Sequence, residues 1–280
     1  MGVDLVINMA KLVIAHTPDP DDAYMFYGLV SGAVSVPGFD EVEQIVEDIE
    51  TLNKKVIGGW NVDVTALSAH AYAYVMDRYY LLRTGVSMGE GYGPMVVAKR
   101  RMQLSGIKIA VPGEYTTARL LLKLATGGNY SEIFVRFDKI IDMVLNEEVD
   151  AGLLIHDAQL TYSDMGLLNI FDLWQWWKRV SNGLPMPLGV DVVNKRLGRS
   201  AAINIRKAIQ ESIRYAWNHD EEAINYASKF SRTGRRIGEF VKMYVNQRTL
   251  DMGDDGIRAH ELLYRLAHSM GLPGGTIEVV

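Results

Sequence analysis

"GIKIAVPGEYTTARLLLKLATG", Gly106 to Gly127, carries the pattern on which the fold reading rests. Ile107, Ile109 and Val111 alternate through a short β-rich run into a Pro-Gly turn, and Thr116 and Thr117 then open an apolar stretch of helical period. That is strand, turn, helix. The alternation continues downstream: "EIFVRFD" reads as a strand, "IIDMVLNEEV" as a helix, and "DAGLLIH" and "LLNIFDL" as strands. Upstream, Lys11 to His16 reads as a buried strand ended by Thr17-Pro18, with a helix beginning within Asp21 to Tyr24. "EDIETLNKKVIGG" repeats Ile49, Leu52 and Val56 at helical spacing after a charged stretch, "VDVTALS" is a strand, and "AHAYAYVMDRY" a helix. "YYLLRTGV" and "GPMVVAK" are strands around a glycine loop.

Strands alternating with helices of this length predict an α/β fold with parallel sheets. From Arg199 the chain turns helical, with Ile205, Ala208, Ile209, Ile213, Ala216 and Trp217 in one stripe and a second amphipathic run from Gly256 to Met270. Two α/β blocks and a helical C-terminal segment predict two lobes with a ligand cleft between them. The basic "KRRMQ" of Lys99–Gln103 and the stretch Pro187–Lys195 are the candidate crossings, and the Pro-rich "NGLPMPLGV" reads as a rigid connector. The expected division is 1–101 together with 192–280 for one lobe and 102–191 for the other.

Composition narrows the function classes. The 280 residues are 48% hydrophobic and 22% charged, ordinary for a globular chain, and the net charge of -5 offers no basic stripe to a phosphate backbone, so no nucleic-acid partner is expected. With no cysteine, thiolate metal sites and a cysteine nucleophile are excluded. No apolar run reaches the ~20 residues that span a bilayer, so no membrane partner is expected. "MGVDLVINMAKLVIAH" lacks the basic start and small-residue cleavage site of a signal peptide, so a cytoplasmic location is expected, with the first eight residues a dispensable extension. The six histidines show no tight metal spacing, and no metal site is expected.

Ligands of open α/β sheets lie at the carboxyl ends of strands, which selects the site candidates. His156 ends "DAGLLIH" and has the side chain best suited to proton transfer near neutrality, so it is the candidate general base; Asp157, next to it, points to the opposite face. Thr116 and Thr117, with Gly113 in the preceding turn, place hydroxyls and free N–H groups at a helix start, which suits a carboxylate or simple capping. Ser68 ends a strand and is read as a polar ligand contact rather than as a nucleophile paired with His70. Gly85, Gly89, Gly91 and Gly93 match no phosphate or dinucleotide fingerprint. The tryptophans of "DLWQWWKRV" fit helix packing better than an aromatic pocket wall. In Thr17–Asp22 three aspartates crowd a helix start, where one, at Asp21 or Asp22, suffices as a cap.

Several stretches, in this order, resemble the menaquinone-biosynthesis family of the futalosine pathway, and within it the enzymes that form 1,4-dihydroxy-6-naphthoate. They are "DDAYMFYGLVSGAV", "EDIETLN", "DVTALSAHAYAYV", "YYLLRTGVSMGEGYGPMVVA", "VPGEYTTARLLL", "FDKIIDMVLNEEVDAGLLIHDAQLTY", "GLLNIFDLWQWW" and "GLPMPLG". The resemblance implies a periplasmic-binding-protein type II-like fold working as an enzyme on a small-molecule substrate. It implies conversion of cyclic dehypoxanthine futalosine by a carbon–carbon lyase-type step, without metal or organic cofactor. The family's catalytic histidine maps to His156, its strand-end serine to Ser68 and its paired threonines to Thr116 and Thr117. A homodimer is compatible with all of this and encoded by none of it.

The departures fall in one loop. Where the family pattern has Ser-Pro-Cys-Pro-Asn-Asp-Thr-Phe, this chain places Asp19 for the cysteine, Asp21 for the asparagine and Ala23 for the threonine, keeping Asp22. Ala66 stands for a lysine and Asp157 for a glutamate. These changes predict a more acidic cleft, with Asp22 the inherited cap or ligand contact and Asp19 and Asp21 the marks of a different ligand. Three readings therefore stand: the synthase, a paralogous enzyme with altered substrate, and a non-catalytic binder of the same fold.

Overall fold

A computed structural model of the chain describes residues 10–156, 158–231, 236–273 and 275–280; the dispensable extension and Asp157 lie outside them. The strands are β1 Lys11–His16, β2 Glu41–Val46, β3 Val64–Ser68, β4 Tyr79–Leu81, β5 Ser87–Gly89, β6 Met95–Ala98, β7 Lys108–Val111, β8 Ser131–Phe134, β9 Ala151–Leu154, β10 Leu168–Asp172 and β11 Met186–Asn194. They form two sheets. The first runs β2-β1-β3-β11-β4, with β5 also on β11, and the second runs β10-β6-β9-β7-β8.

The sheets are mixed, not purely parallel as the alternation predicted. β1 pairs parallel with β2 and β3, and β7 with β8 and β9; β11 and β6 pair antiparallel with their neighbours. The antiparallel strands are those on which the chain passes between sheets. β6 belongs to the second sheet and β11 to the first. The Pro-rich "MPLGV" is accordingly no connector but the start of the long strand β11. Its one proline, Pro187, is tolerated because the register shifts between Pro187 and Gly189.

Two apolar clusters flank the sheets and a third joins them. Leu12, Ile14, Val64 and Val193 pack under Ile205, Ile209 and Ile213 of the helix Gly198–Asn218, the stripe that the sequence predicts. Val97, Ala110 and Leu154 pack with Phe137, Ile140 and Val144. Leu67 and Val192 of the first sheet share a core with Val96, Val111 and Leu153 of the second. The C-terminus closes the first sheet, where the Leu81 N–H donates to the Glu278 carbonyl and the Val280 N–H donates to the Leu81 carbonyl around a parallel bridge from Leu81 to Val279.

Local predictions diverge where burial overrules propensity. The helix expected over "AHAYAYVMDRY" spans only Ala69–Tyr72 and then tightens into three-residue turns. The charged stretch before "EDIETLN" forms β2, a sheet-edge strand whose Glu41 and Glu43 pair with Lys11. Trp174 and Trp177 are buried, and the Trp177 indole donates to the Leu184 carbonyl (2.9 Å), so the tryptophans pack the helix Leu173–Val180.

Candidate active site

The cleft between the sheets holds a cavity of about 110 Å³ where the carboxyl ends of β1, β3 and β9 meet the helix Thr117–Thr126. His156, Ser68, Thr116, Thr117, Asp21 and Asp22 all border it. Asp19 and Gly113 do not.

His156 follows β9 with a left-handed backbone (φ 58°), a conformation that costs a non-glycine residue about 1–3 kcal/mol and aims its ring into the cleft. The Phe137 ring lies 4.5 Å from it, centroid to centroid. Nδ1 sits 3.2 Å from Oδ2 of Asp19, while Nε2 is buried with no partner among the described residues. Oriented so that its NH₂ donates to the Gly93 carbonyl (2.7 Å), the Gln159 amide accepts from the Tyr244 hydroxyl (3.0 Å) and the His156 backbone N–H (3.2 Å).

The acidic loop divides its work differently from the expectation. The helix is Pro20–Met25, and Asp19 occupies its cap position without capping, because that carboxylate is turned to His156. Asp22 does not cap either: Oδ2 accepts from the Thr17 N–H (2.7 Å) and hydroxyl (2.8 Å), tying the first turn back to the strand end. Burial, with Asp22 and Asp19 beside it, pushes the Asp21 carboxyl well above the usual range; burial also raises Asp22.

On the opposite wall, Ser68 is gripped by Asn53, whose amide donates to Oγ (3.0 Å) and accepts from the Ser68 N–H (3.0 Å). His70 is buried away from the cavity and pushed down to about 4 by desolvation, so it is no partner for a nucleophile. Thr116 Oγ1 caps the Arg119 N–H at 3.4 Å. Thr117 Oγ1 donates to the Leu188 carbonyl (2.6 Å) and accepts from the His70 N–H (3.2 Å), so its hydroxyl joins the lobes and is not free for a ligand. What the helix start offers instead is backbone, since the N–H groups of Thr117 and Ala118, both at the cavity, have no acceptor within their own helix. Gly113 serves the turn, where a side chain would strike the Glu50 carboxyl. That carboxylate accepts from the Glu114 (2.7 Å) and Tyr115 (3.1 Å) N–H groups, so part of the expected anion site is filled by the protein's own acid.

Sequence reasoning missed Asp191. It lies on β11 at 1% exposure, borders the cavity, and has no partner among the described residues on either carboxyl oxygen. Burial, and secondarily Asp22, pushes it well above the usual carboxylate range. A lone acid in the otherwise apolar "LGVDVV" was the available signal.

The chain matches the menaquinone-biosynthesis family over residues 12–269. It belongs to that family. It is 40% identical over 267 residues to the 1,4-dihydroxy-6-naphthoate synthase of Thermus thermophilus, covering 94% of this chain and 96% of that protein. With the synthase of Streptomyces coelicolor it shares 34% over 269 residues, or 93% and 94% of the two. A crystal structure of a protein from Archaeoglobus fulgidus superposes with a TM-score of 0.88 at 47% identity, covering 93% of this chain and 98% of that one. The aliphatic sulphonate binding protein of Escherichia coli superposes at 0.61 with 11% identity, over 92% and 88%, which marks the two-lobed periplasmic-binding-protein fold. The menaquinone-biosynthesis family member thus carries a binding-protein fold with a histidine facing the cleft.

Proposed function

We propose that the protein is a 1,4-dihydroxy-6-naphthoate synthase that acts on cyclic dehypoxanthine futalosine by a cofactor-independent, carbon–carbon lyase-type step, with His156 as general base. The observation that carries this reading is the close approach of the Asp19 carboxylate to Nδ1 of His156 (3.2 Å), in a residue that borders the cavity and whose Nε2 has no partner among the described residues. A carboxylate on one ring nitrogen fixes the proton there, which makes the other nitrogen the proton acceptor. Nε2 then takes a proton from a substrate hydroxyl, the oxygen's electron pair forms a carbonyl as the carbon–carbon bond breaks, and the bonding pair stays with the ring fragment, whose aromatisation to the naphthalene drives the step.

The remaining groups position the substrate. The Thr117 and Ala118 N–H groups suit its carboxylate, and Ser68, held by Asn53, adds a fixed hydroxyl. Bonds across the cleft, Thr117 to Leu188 and Glu50 to Tyr115, hold the lobes together and keep water from the intermediate. The lobes extend to about residue 94 and return at about 185, a division supported by sheet membership. Asp19 has an internal task, so it gives no reason for a different ligand; that lowers the weight of the altered-substrate reading. Purified protein incubated with cyclic dehypoxanthine futalosine should form 1,4-dihydroxy-6-naphthoate, and no product under conditions where the Thermus enzyme turns over would refute the assignment.

A further inference from the structure

The mechanism above leaves Asp191 unused, and its placement is costly. A buried carboxyl without a partner gives up hydration for nothing in the empty protein. Directly across the ladder stands Ala66, which has no donor, and no lysine or arginine borders the cavity among the described residues. Beneath the carboxyl is Gly85 (φ 74°), where any side chain would collide with it, so two positions in the chain make room for this one group. Asp21 lines the same cavity with an oxygen that also lacks a partner, and Asp22 lies within electrostatic reach. These acids do not form a group that could hold a metal ion among the described residues.

We propose that Asp191 is a specificity-determining subsite that recognises vicinal hydroxyls of a furanose-type ring in the substrate. A carboxyl group buried without a cation both donates and accepts hydrogen bonds, which matches a pair of hydroxyls and not an ammonium group or a second carboxylate. The cavity is thereby polarised, with hydroxyls at the β11 wall and the substrate carboxylate at the start of the helix Thr117–Thr126. The role in turnover rests on the synthase reading, whereas recognition of the hydroxyls does not.

Two variants and two readouts separate these. Asp191→Asn keeps a donor and an acceptor in the same shape; Asp191→Leu keeps neither. In synthase turnover the leucine variant should raise KM about 10-fold to 100-fold with a smaller change in kcat, and the asparagine variant should stay within about 5-fold of wild type in both. Saturation-transfer NMR with millimolar D-ribose should show contact with wild type and Asp191→Asn and none with Asp191→Leu. Neither variant should lower the melting temperature of the ligand-free protein, as loss of a structural group would. An unchanged KM in Asp191→Leu overturns the proposal, and so does equal loss in Asp191→Asn, which would mean that charge is what the site supplies. If wild type forms no naphthoate, the synthase reading fails alone. The subsite then stands if the ribose signal depends on Asp191, and falls if that signal is absent or indifferent to the variants.

Discussion

His156 joins a left-handed backbone, a carboxylate on Nδ1 and an unpartnered Nε2, and each feature has a separate consequence. Removing the ring in His156→Ala should lower kcat by about 10²-fold to 10⁴-fold. Asp19→Asn keeps the shape but can favour the wrong tautomer, so steady-state kinetics should show a loss in kcat of about 10²-fold with KM little changed. Asn53→Ala unclamps Ser68 and leaves its N–H without an acceptor, so denaturant unfolding should report about 1–3 kcal/mol less stability. That His156 and Ser68 border the cavity was legible because a strand-end rule needs only local pattern. The task of Asp19 was not, because its partner comes from the other sheet's loops and no periodicity links the two. The paired threonines were legible as a helix start, but only the fold shows that the Thr117 hydroxyl is consumed by Leu188 and His70.

Among the elements, those with long apolar periods read well: the helices Gly198–Asn218 and Gly253–His268 fall where their stripes predict. β2, β5 and β11 did not, since an edge strand buries little, a three-residue strand has no period, and Pro187 in β11, with Pro185 just before it, mimics a connector. The same elements set the site, because β11 carries Asp191 and the turn before the helix Thr117–Thr126 carries the Glu50 contact. Gly113→Ala should drive a Cβ into the Glu50 carboxyl. The expected result is a loss of about 1–3 kcal/mol in unfolding free energy, partly relieved in the double variant with Glu50→Ala, whose own N–H partners then turn to water.

For the whole molecule, burial of titratable groups sets the dependence of stability on pH. His70 and His260 are both pushed down to about 4 by desolvation, below the ordinary value of 6.5. Their neutral forms contribute stability that is complete above the ordinary value and is lost as pH falls toward about 4. Asp21 and Asp191 act in the other direction: raised above 3.8, they contribute stability that is complete below that value and is lost as pH rises through their folded values. Urea midpoints should therefore show Asp191→Asn gaining more over wild type at about pH 8 than at about pH 4. Equal gains at both would remove the carboxyl from the account.

Fold, loop and strand end meet in one proton transfer at His156, which single-turnover formation of 1,4-dihydroxy-6-naphthoate puts to the test. Wild type and His156→Ala are each loaded with cyclic dehypoxanthine futalosine, with binding measured by calorimetry in parallel. The prediction is product from wild type, and from His156→Ala none on the same timescale at comparable affinity. Product at the wild-type rate from His156→Ala would contradict the account.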